Sequence, residues 1–491
     1  MSRYPKQILL LIGFVLLFAP NSYGRESCSI NVAVQSLMPI KDPLKAISWW
    51  AKRESTLQFD SLVRFTDAGE VQPWLARKWQ FSKDLKTLTI DLRSGVKFTD
   101  GTLVDSPAVI KSLKRFVGKG STDHGRLSYV KDIVALDQSK IQIKLSNPFV
   151  PLLYYLATPR SGIAKIGKNS EMIGSGPWIF EKSEMKNSIK AQVWKANLNY
   201  FNGAPFCRKL GLVEVPMNQL SASFKNKLID LIEYYPITNQ DQKDLVQSFG
   251  SDVEVREFPS YDVTALFFTE AKKSSVEKSS RQALSKIILK EFKAPGQNAG
   301  YTKVCSILPY GLAASKISKC EIEAIQLPEN KRRTFLVYTQ DDERSAILKK
   351  IAAITERHKY FLDFKFTSLS DLYSEHAKGS VGIHVETLTM QIPEPYGVLS
   401  MFESGSGENF SKYSNSTFDR LLSKAKAESD LNKRREFYSL AENLLLEDAI
   451  VIPLIHQSRV SIFSKGLTGY NSNLMGPFYA AYDKIIKKES E

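Results

Sequence analysis

Histidine and cysteine are the side chains of this sequence best suited to bind a metal ion, and their spacing argues against such a site. The chain has 491 residues, among them four cysteines. No two cysteines form a C-x-x-C pair, and the five histidines are dispersed at His124, His358, His376, His384 and His456. A bare transition-metal ion would need several convergent nitrogen, oxygen or sulfur ligands. We therefore expect no metal site and no cofactor.

Motifs of common hydrolytic and nucleotide-dependent enzymes are missing from the sequence. There is no G-x-S-x-G elbow, no H-E-x-x-H pair and no G-x-x-x-x-G-K-[ST] phosphate loop. The glycine-rich stretch at 405–408 is not followed by Lys and Ser or Thr, so we interpret it as a flexible loop. We predict that the protein is not an enzyme.

The first 24 residues have the pattern of a secretory signal peptide. Arg3 and Lys6 precede an apolar run from Ile8 to Ala19, and small or polar residues follow up to Gly24. The run is about a dozen residues long, which is too short to span a bilayer of ~30 Å. We expect cleavage after Gly24 and a periplasmic mature protein; an N-terminal membrane anchor is the alternative.

All four cysteines follow the predicted cleavage site, and an oxidising compartment favours disulfides. They are Cys28, Cys207, Cys305 and Cys320. Four cysteines allow three pairings, among which the sequence alone cannot choose. We favour Cys305 with Cys320, which closes a local loop, and Cys28 with Cys207.

Length and charge limit the class of protein. The roughly 465 residues after Gly24 exceed what one hydrophobic core supports, so we expect at least two domains. The formal charge is +15, and it falls to +13 when Arg3 and Lys6 are removed with the predicted signal peptide. Such an excess can favour acidic ligands, anionic surfaces or nucleic acid. Because the basic residues are scattered among acidic ones, we predict a solvated basic surface and no nucleic-acid partner.

The elements that must position any site are of mixed α/β type. A helix is predicted from an N-cap at Ser106 with Pro107 in its first turn. Two more helices are predicted near 416–425 and 437–445 by apolar residues at helical spacing. Alternating patterns predict strands at 87–92, 141–145, 189–194, 211–215, 253–258 and 451–463. The residues at 259–262 are predicted to form a loop.

Several short motifs are spread along most of the chain, and both their residues and their order are informative. The longest is LRSGVKFTDGT at 92–102, which resembles the pattern LRxGVKFHDGTP. The others are FDSLVRF at 59–65, GEVQPWLARKW at 69–79, IVALD at 133–137, GSGPW at 174–178, NLNYFNG at 197–203, RQAL at 281–284, NSTFD at 415–419 and DAIVIPL at 448–454. Together they resemble the family 5 extracellular solute-binding proteins of ABC transporters, the group of dipeptide, oligopeptide and nickel receptors.

The resemblance implies an α/β, two-lobed periplasmic binding protein fold, type II-like, with an extra inserted domain and a ligand cleft between the lobes. Lobe I would comprise 25–50, 176–260 and 456–491, the inserted domain 51–175, and lobe II 261–455. It also implies a monomeric substrate-binding component of an ABC importer, which captures a peptide or peptide-like small solute by lobe closure. Its partner would be an ABC permease in the inner membrane.

Two segments are implied to contact the ligand. The segment at 259–262 resembles one that faces the cleft, where Tyr261 would offer an apolar ring and a hydroxyl beside Asp262. The segment at 388–395, beginning with Leu388 and Thr389, resembles one that carries an aspartate four residues before a proline. In peptide receptors that aspartate binds the α-ammonium group, and here Gln391 stands in its place.

A neutral amide at Gln391 cannot form the charge-assisted hydrogen bond of a carboxylate, which contributes roughly 1.5–3 kcal/mol. Glu394 or Glu386 would have to replace it from a shifted position. Gln391 also favours an alternative function, because it stands where the family has a residue that determines ligand specificity, while the motifs that form the scaffold are unchanged. The alternative is a transport-independent ligand sensor or periplasmic chaperone of the same fold.

Overall fold

The structure is a computed structural model. It describes residues 28–38, 41–186, 189–233, 247–249, 253–271, 273–294, 301–308, 332–339, 345–390, 392–470, 479 and 481–487. The predicted signal peptide, Cys320 and Gln391 lie outside these residues.

Helices and strands alternate through much of the described chain. The helices are α1 (Trp49–Gln58), α2 (Ser106–Val117), α3 (Leu152–Tyr155), α4 (Leu220–Lys225), α5 (Lys278–Glu291), α6 (Ser345–Glu356), α7 (Leu369–Lys378), α8 (Tyr396–Leu399), α9 (Ser416–Lys426) and α10 (Leu431–Glu447). The strands are β1 (Ser29–Val34), β2 (Val63–Phe65), β3 (Val71–Pro73), β4 (Ala76–Phe81), β5 (Thr87–Leu92), β6 (Val130–Asp137), β7 (Lys140–Leu145), β8 (Lys165–Ile166), β9 (Met172–Ile173), β10 (Trp178–Lys186), β11 (Ile189–Ala196), β12 (Lys209–Glu214), β13 (Leu231–Glu233), β14 (Val253–Phe268), β15 (Tyr301–Lys303), β16 (Arg333–Thr339), β17 (Tyr360–Phe366), β18 (Ile383–Thr389), β19 (Val451–Ser464), β20 (Leu467–Thr468) and β21 (Ile486–Lys487).

One large mixed sheet contains most of these strands, in the order β10-β11-β12-β1-β13-β19-β14-β18-β16-β17, with β15 paired to β19. Two long neighbouring strands, β14 and β19, run through its centre. The first half of β14 pairs with the end of β19, which also pairs with β13. The second half of β14, from Asp262 to Phe268, pairs with β18 as well. These two strands therefore belong to both parts of the sheet.

The prediction of a loop at 259–262 was wrong. The chain stays extended there, and the pairing of β14 with β19 shifts register between Pro259 and Asp262. Proline has no N–H to donate, so it interrupts a ladder locally without ending the strand when residues on both sides stay paired. The segment is thus an irregularity inside a 16-residue strand.

A separate four-stranded sheet, in the order β4-β5-β7-β6, is formed by residues from the first third of the chain. Helix α2 packs against it through Val109, Leu113 and Phe116, which are buried. The helix begins as predicted, but its N-cap is Asp105 and not Ser106. The Asp105 carboxylate accepts a hydrogen bond from the Ala108 N–H at 3.0 Å, because a residue one position earlier can reach that amide.

The largest hydrophobic core joins this smaller sheet to the later part of the chain. Phe149 packs edge-on against Tyr396 with the ring centroids 5.5 Å apart. The Val150 N–H donates to the carbonyl oxygen of Lys426 at 2.9 Å. A second core lies under β14, β16 and β18, against α5 and α6.

The predicted disulfide between Cys28 and Cys207 is confirmed. It links residues 179 positions apart and is buried in a third core with Trp178 and Trp194. Cys305 is also disulfide-bonded. Its predicted partner, Cys320, is outside the described residues.

Within the described part of the chain, none of the helices has the length and apolar character needed to cross a bilayer.

Candidate functional site

A cavity of about 630 Å³ lies between two groups of residues that are distant in sequence. One wall comes from the segments at 47–52, 123–126 and 155–160, and the other from residues between 373 and 410. The lining residues are Ile47, Lys52, Asp123, Arg126, Tyr155, Thr158, Pro159, Arg160, Tyr373, Glu386, Thr387, Leu388, Thr389, Met390, Ile392, Gly397, Val398, Met401, Glu408 and Phe410.

We call the first group the basic wall, because it contains Lys52, Arg126 and Arg160 beside one carboxylate, Asp123. Helix α1 positions Lys52, and its N-cap, Ser48, accepts a hydrogen bond from the Ala51 N–H at 3.2 Å. Arg160 forms an ion pair with Asp123, with Nη2 and Oδ2 2.5 Å apart. Both side chains of this pair are buried.

Burial changes the protonation of this wall. It lowers the pKa of Lys52 to about 7, and the charges of Arg160 and Arg126 act in the same direction while Asp123 opposes them. Burial also raises the pKa of Asp123, although Arg160, Arg126 and Lys52 favour its charged form. The Lys52 side chain is only 4% exposed, so water stabilises its charge poorly.

The second group, which we call the β18 wall, combines an acidic edge with apolar surface. Strand β18 supplies consecutive lining residues from Glu386 to Thr389. The rings of Tyr373 and Phe410 stack beside them with centroids 5.3 Å apart. Behind Glu386, the Nε2 atom of His384 lies 3.6 Å from its Oε2 atom. Such a wall can contact both an apolar group and a polar or cationic group of a solute.

One ion pair connects the two walls. The guanidinium of Arg126 donates to the carboxylate of Glu408, which comes from the glycine-rich loop at 405–408. Neither partner is fully buried, since the side chains are 27% and 40% exposed. The cavity is therefore bridged at one place by a contact that water can reach.

The structure brings together some of the residues predicted from the resemblance. Leu388 and Thr389 line the cavity. Asp262 is buried behind them; it accepts hydrogen bonds from the Thr389 hydroxyl at 2.7 Å and from Arg459 Nε at 2.8 Å. Tyr261 lies in the hydrophobic core, and burial raises its pKa to about 12. Neither Asp262 nor Tyr261 lines the cavity.

The two candidate replacements for the missing aspartate occupy different places. Glu386 lines the cavity. Glu394 is buried away from it, 3.4 Å from Arg434 Nε, and burial raises the pKa of its carboxyl group although Arg434 opposes this. Gln391 is not among the described residues.

Sequence reasoning missed the basic wall entirely. Lys52, Arg126 and Arg160 come from three separate segments and have no shared motif. The loop containing Glu408 was noticed only for its glycines. In the part of the chain that the structure describes, no group of three or more His, Cys, Asp or Glu side chains is arranged to hold a metal ion.

Comparison with known proteins shows which family the chain resembles. A model described as bacterial extracellular solute-binding proteins, family 5 Middle, matches residues 70–292. The probable D,D-dipeptide-binding periplasmic protein of Escherichia coli is 26% identical over 462 residues, covering 85% of this chain and 86% of the relative. The chain is similar to this family over most of its length.

Another relative of the chain is the periplasmic murein peptide-binding protein of Escherichia coli, which is 22% identical over 91% of the chain and 90% of the relative. Among solved structures, the ABC transporter-associated periplasmic binding protein of Helicobacter pylori in complex with the peptide STSA superposes with a TM-score of 0.75. It is 18% identical, and the match covers 95% of this chain and 99% of that one. The predicted two-lobed α/β fold is thereby confirmed.

Proposed function

We propose that this solute-binding protein is the periplasmic substrate-binding component of an ABC importer, and that it captures a peptide or peptide-like small solute without transforming it. The observation that carries the proposal is the cavity of about 630 Å³, which has charged and apolar surface on facing walls. That volume lies within the range of pockets that enclose small ligands. The names of the relatives, which include dipeptide-binding and murein peptide-binding proteins, support the solute class.

Capture would occur by closure of the lobes. We propose that the chain is divided into two lobes and an inserted domain at the boundaries given above. The chain would cross between the lobes near residues 260 and 455, on the adjacent strands β14 and β19. The register shift between Pro259 and Asp262 supports a bend at that place. Closure would bring the basic wall and the β18 wall together and expel water, which strengthens polar contacts with the solute.

Leu388 and Thr389 are the predicted contact residues that the cavity supports best, since both line it. The carboxylate of Asp262 accepts from the Thr389 hydroxyl and also binds Arg459. Asp262 would therefore orient Thr389 without touching the solute. The comparisons do not favour the sensor or chaperone alternative.

The first experiment is mass spectrometry of the purified protein, first under native conditions and then denatured, to identify any solute that copurifies. The same protein is titrated calorimetrically with D-alanyl-D-alanine and with a panel of di- and tripeptides. Bound solute at 100 times its dissociation constant stabilises the fold by about 2.7 kcal/mol, so the melting temperature should rise. A protein that carries no solute and binds no peptide would contradict the proposal.

A matched pair of variants tests whether the solute binds in the cavity. Met401→Trp fills part of the cavity, because Met401 lines it. Met185→Trp makes the same substitution on β10 at a side chain that is 63% exposed. We expect the first variant to lose solute affinity by at least about tenfold and the second to keep it. Cross-linking in inner membranes then tests for an ABC permease as partner.

A further inference from the structure

The large sheet ends in two edge strands, β10 and β17, which differ in how well they resist pairing with another chain. An edge strand exposes N–H and C=O groups that another strand can bind, and proteins usually protect it with a bulge, a proline or charged side chains. The pairing of β10 with β11 shifts register between Phe180 and Lys182, so a bulge distorts this edge. Strand β10 is therefore protected.

Strand β17 contains neither a bulge nor a proline. It pairs with β16 on one side, in an unbroken parallel register from Tyr360 to Phe366. Among the strands that the structure describes, none pairs with its other side. The Phe366 side chain is 54% exposed at the end of the strand. The protection of this edge therefore depends on its two exposed charges, Asp363 and Lys365.

These two charges have opposite signs and lie two residues apart, so both side chains point to the same face of the sheet. Two charges of the same sign would repel a second copy of the strand. Within the described residues, neither Asp363 nor Lys365 forms an ion pair; Lys365 lies over the ring of Tyr338, with its Nζ atom 4.9 Å from the ring centroid. Each charge can therefore bind an opposite charge on a partner strand.

Symmetry selects one register in which two copies of β17 match. In an antiparallel pair with a two-fold axis normal to the sheet, opposed side chains share a face, so the axis passes between two copies of the same residue. An axis at Phe364 places Asp363 opposite Lys365 of the second copy, twice by symmetry. On the other face it places Leu362 opposite Phe366. An axis at Asp363 or at Lys365 would place like charges opposite each other, which is unfavourable.

We propose that β17 is the interface of a homodimer, in which two copies of the chain pair edge to edge and antiparallel about a two-fold axis at Phe364. The inference does not rest on the proposed function, because none of the described residues that line the cavity belongs to β17. Leu362 and Phe364 pack against the second core, so the strand is held in place before it pairs. An interface one strand wide is small, and the dimer is therefore weak and forms at high protein concentration. The monomer implied by the family resemblance is then the dilute form.

Sedimentation equilibrium of the purified protein, at concentrations up to about 0.5 mM, tests for the dimer. Asp363→Lys and Lys365→Asp each place like charges opposite each other, so each should weaken self-association by about tenfold or more. The variant with both substitutions should dimerise like the wild type, because the charges are only exchanged. Lys182→Asp is the control, since it changes an exposed lysine on β10, the other edge, and should leave the dimer unchanged.

A mixture and a cross-link test the register. The two single charge variants, mixed in equal amounts, should form a heterodimer, because one carries two positive and the other two negative charges on β17. Phe364→Cys should give a disulfide-linked dimer on oxidation, since residues opposed across an antiparallel pair have Cα atoms about 4.5–5.5 Å apart. Phe361→Cys should not, because its two copies would lie about 20 Å apart along the strands.

Loss of the dimer in both single charge variants, with its recovery in their mixture, would support the inference, and the recovery would show that both variants are folded. A dimer that both single variants form as well as the wild type would overturn it, because the contact would then lie on another surface. A protein that stays monomeric at every concentration would also overturn it, and would leave the edge of β17 to a strand of a different protein.

Discussion

Arg126 of the basic wall and Glu408 of the β18 wall form an ion pair across the cavity. The pair is partly exposed, and pairs of this kind contribute at most about 1 kcal/mol. It is nevertheless one of the contacts that hold the two walls together in this conformation, beside the packing of Phe149 on Tyr396.

We predict that Glu408→Gln shifts the protein towards an open form by up to about fivefold. Small-angle X-ray scattering should then show a larger radius of gyration in the absence of solute. Glu254→Gln is the control, because Glu254 forms an exposed ion pair with Arg256 away from the cavity. Identical scattering from Glu408→Gln and the wild type would show that the pair does not restrain the walls.

Lys52 predicts a pH dependence of stability. Its folded pKa, about 7, lies below the value of about 10.4 expected in the unfolded chain. Between these values the unfolded state holds a proton that the folded state has lost, so the free energy of unfolding rises with pH by up to about 1.4 kcal/mol per unit. Lys52→Met should lack this component in urea unfolding between pH 7 and 9.5, while Lys78→Met, at an exposed lysine, should retain it. Equal pH slopes for wild type and Lys52→Met would refute the prediction.

The buried pair of Glu394 and Arg434 predicts strong coupling in stability. Removing one partner leaves a buried charge uncompensated, which typically costs about 3–5 kcal/mol. Glu394→Leu and Arg434→Met should each lower the free energy of unfolding by about this amount. The double variant should lose less than the sum, because no unpaired charge remains. Simple additivity in denaturant unfolding would show that the two side chains do not interact.

The disulfide between Cys28 and Cys207 should matter chiefly for stability. Replacing both cysteines by serine is expected to lower the free energy of unfolding by about 2–4 kcal/mol, since the bond closes a long loop in the unfolded chain. Guanidinium unfolding without reductant measures this change. Solute affinity should stay the same, because neither cysteine lines the cavity. A variant as stable as the wild type would contradict this account.

The sequence predicted the parts of the fold that depend on local pattern. The alternating residues at 87–92 form β5, and the segment at 451–463 lies within β19. The motif resemblance indicated the two-lobed fold and the family that the chain resembles. The prediction of a loop at 259–262 failed, because the pairing of β14 with β19 on both sides of Pro259 is a tertiary effect that local turn propensity does not contain.

The site was harder to predict for a physical reason. Arg126 and Glu408 are 282 positions apart, and their proximity depends on how the two walls pack. Likewise, Arg434 belongs to a basic run that suggests a solvated surface, yet it is buried beside Glu394. Leu388 and Thr389, which line the cavity, were predicted as contact residues because they lie in one segment with a family resemblance. The basic wall draws on three segments, so no single segment carried the signal.

The position of β19 in the large sheet also constrains when that sheet can form during biosynthesis. Residues 451–464 come after β13 and β14 in the chain, lie between them and pair with both, so the middle of the sheet cannot be completed before this segment is present. Until then β13 and β14 have edges without this partner. The order of the strands in the chain thus delays completion of the large sheet, and the strands on both sides of β19 acquire this partner together.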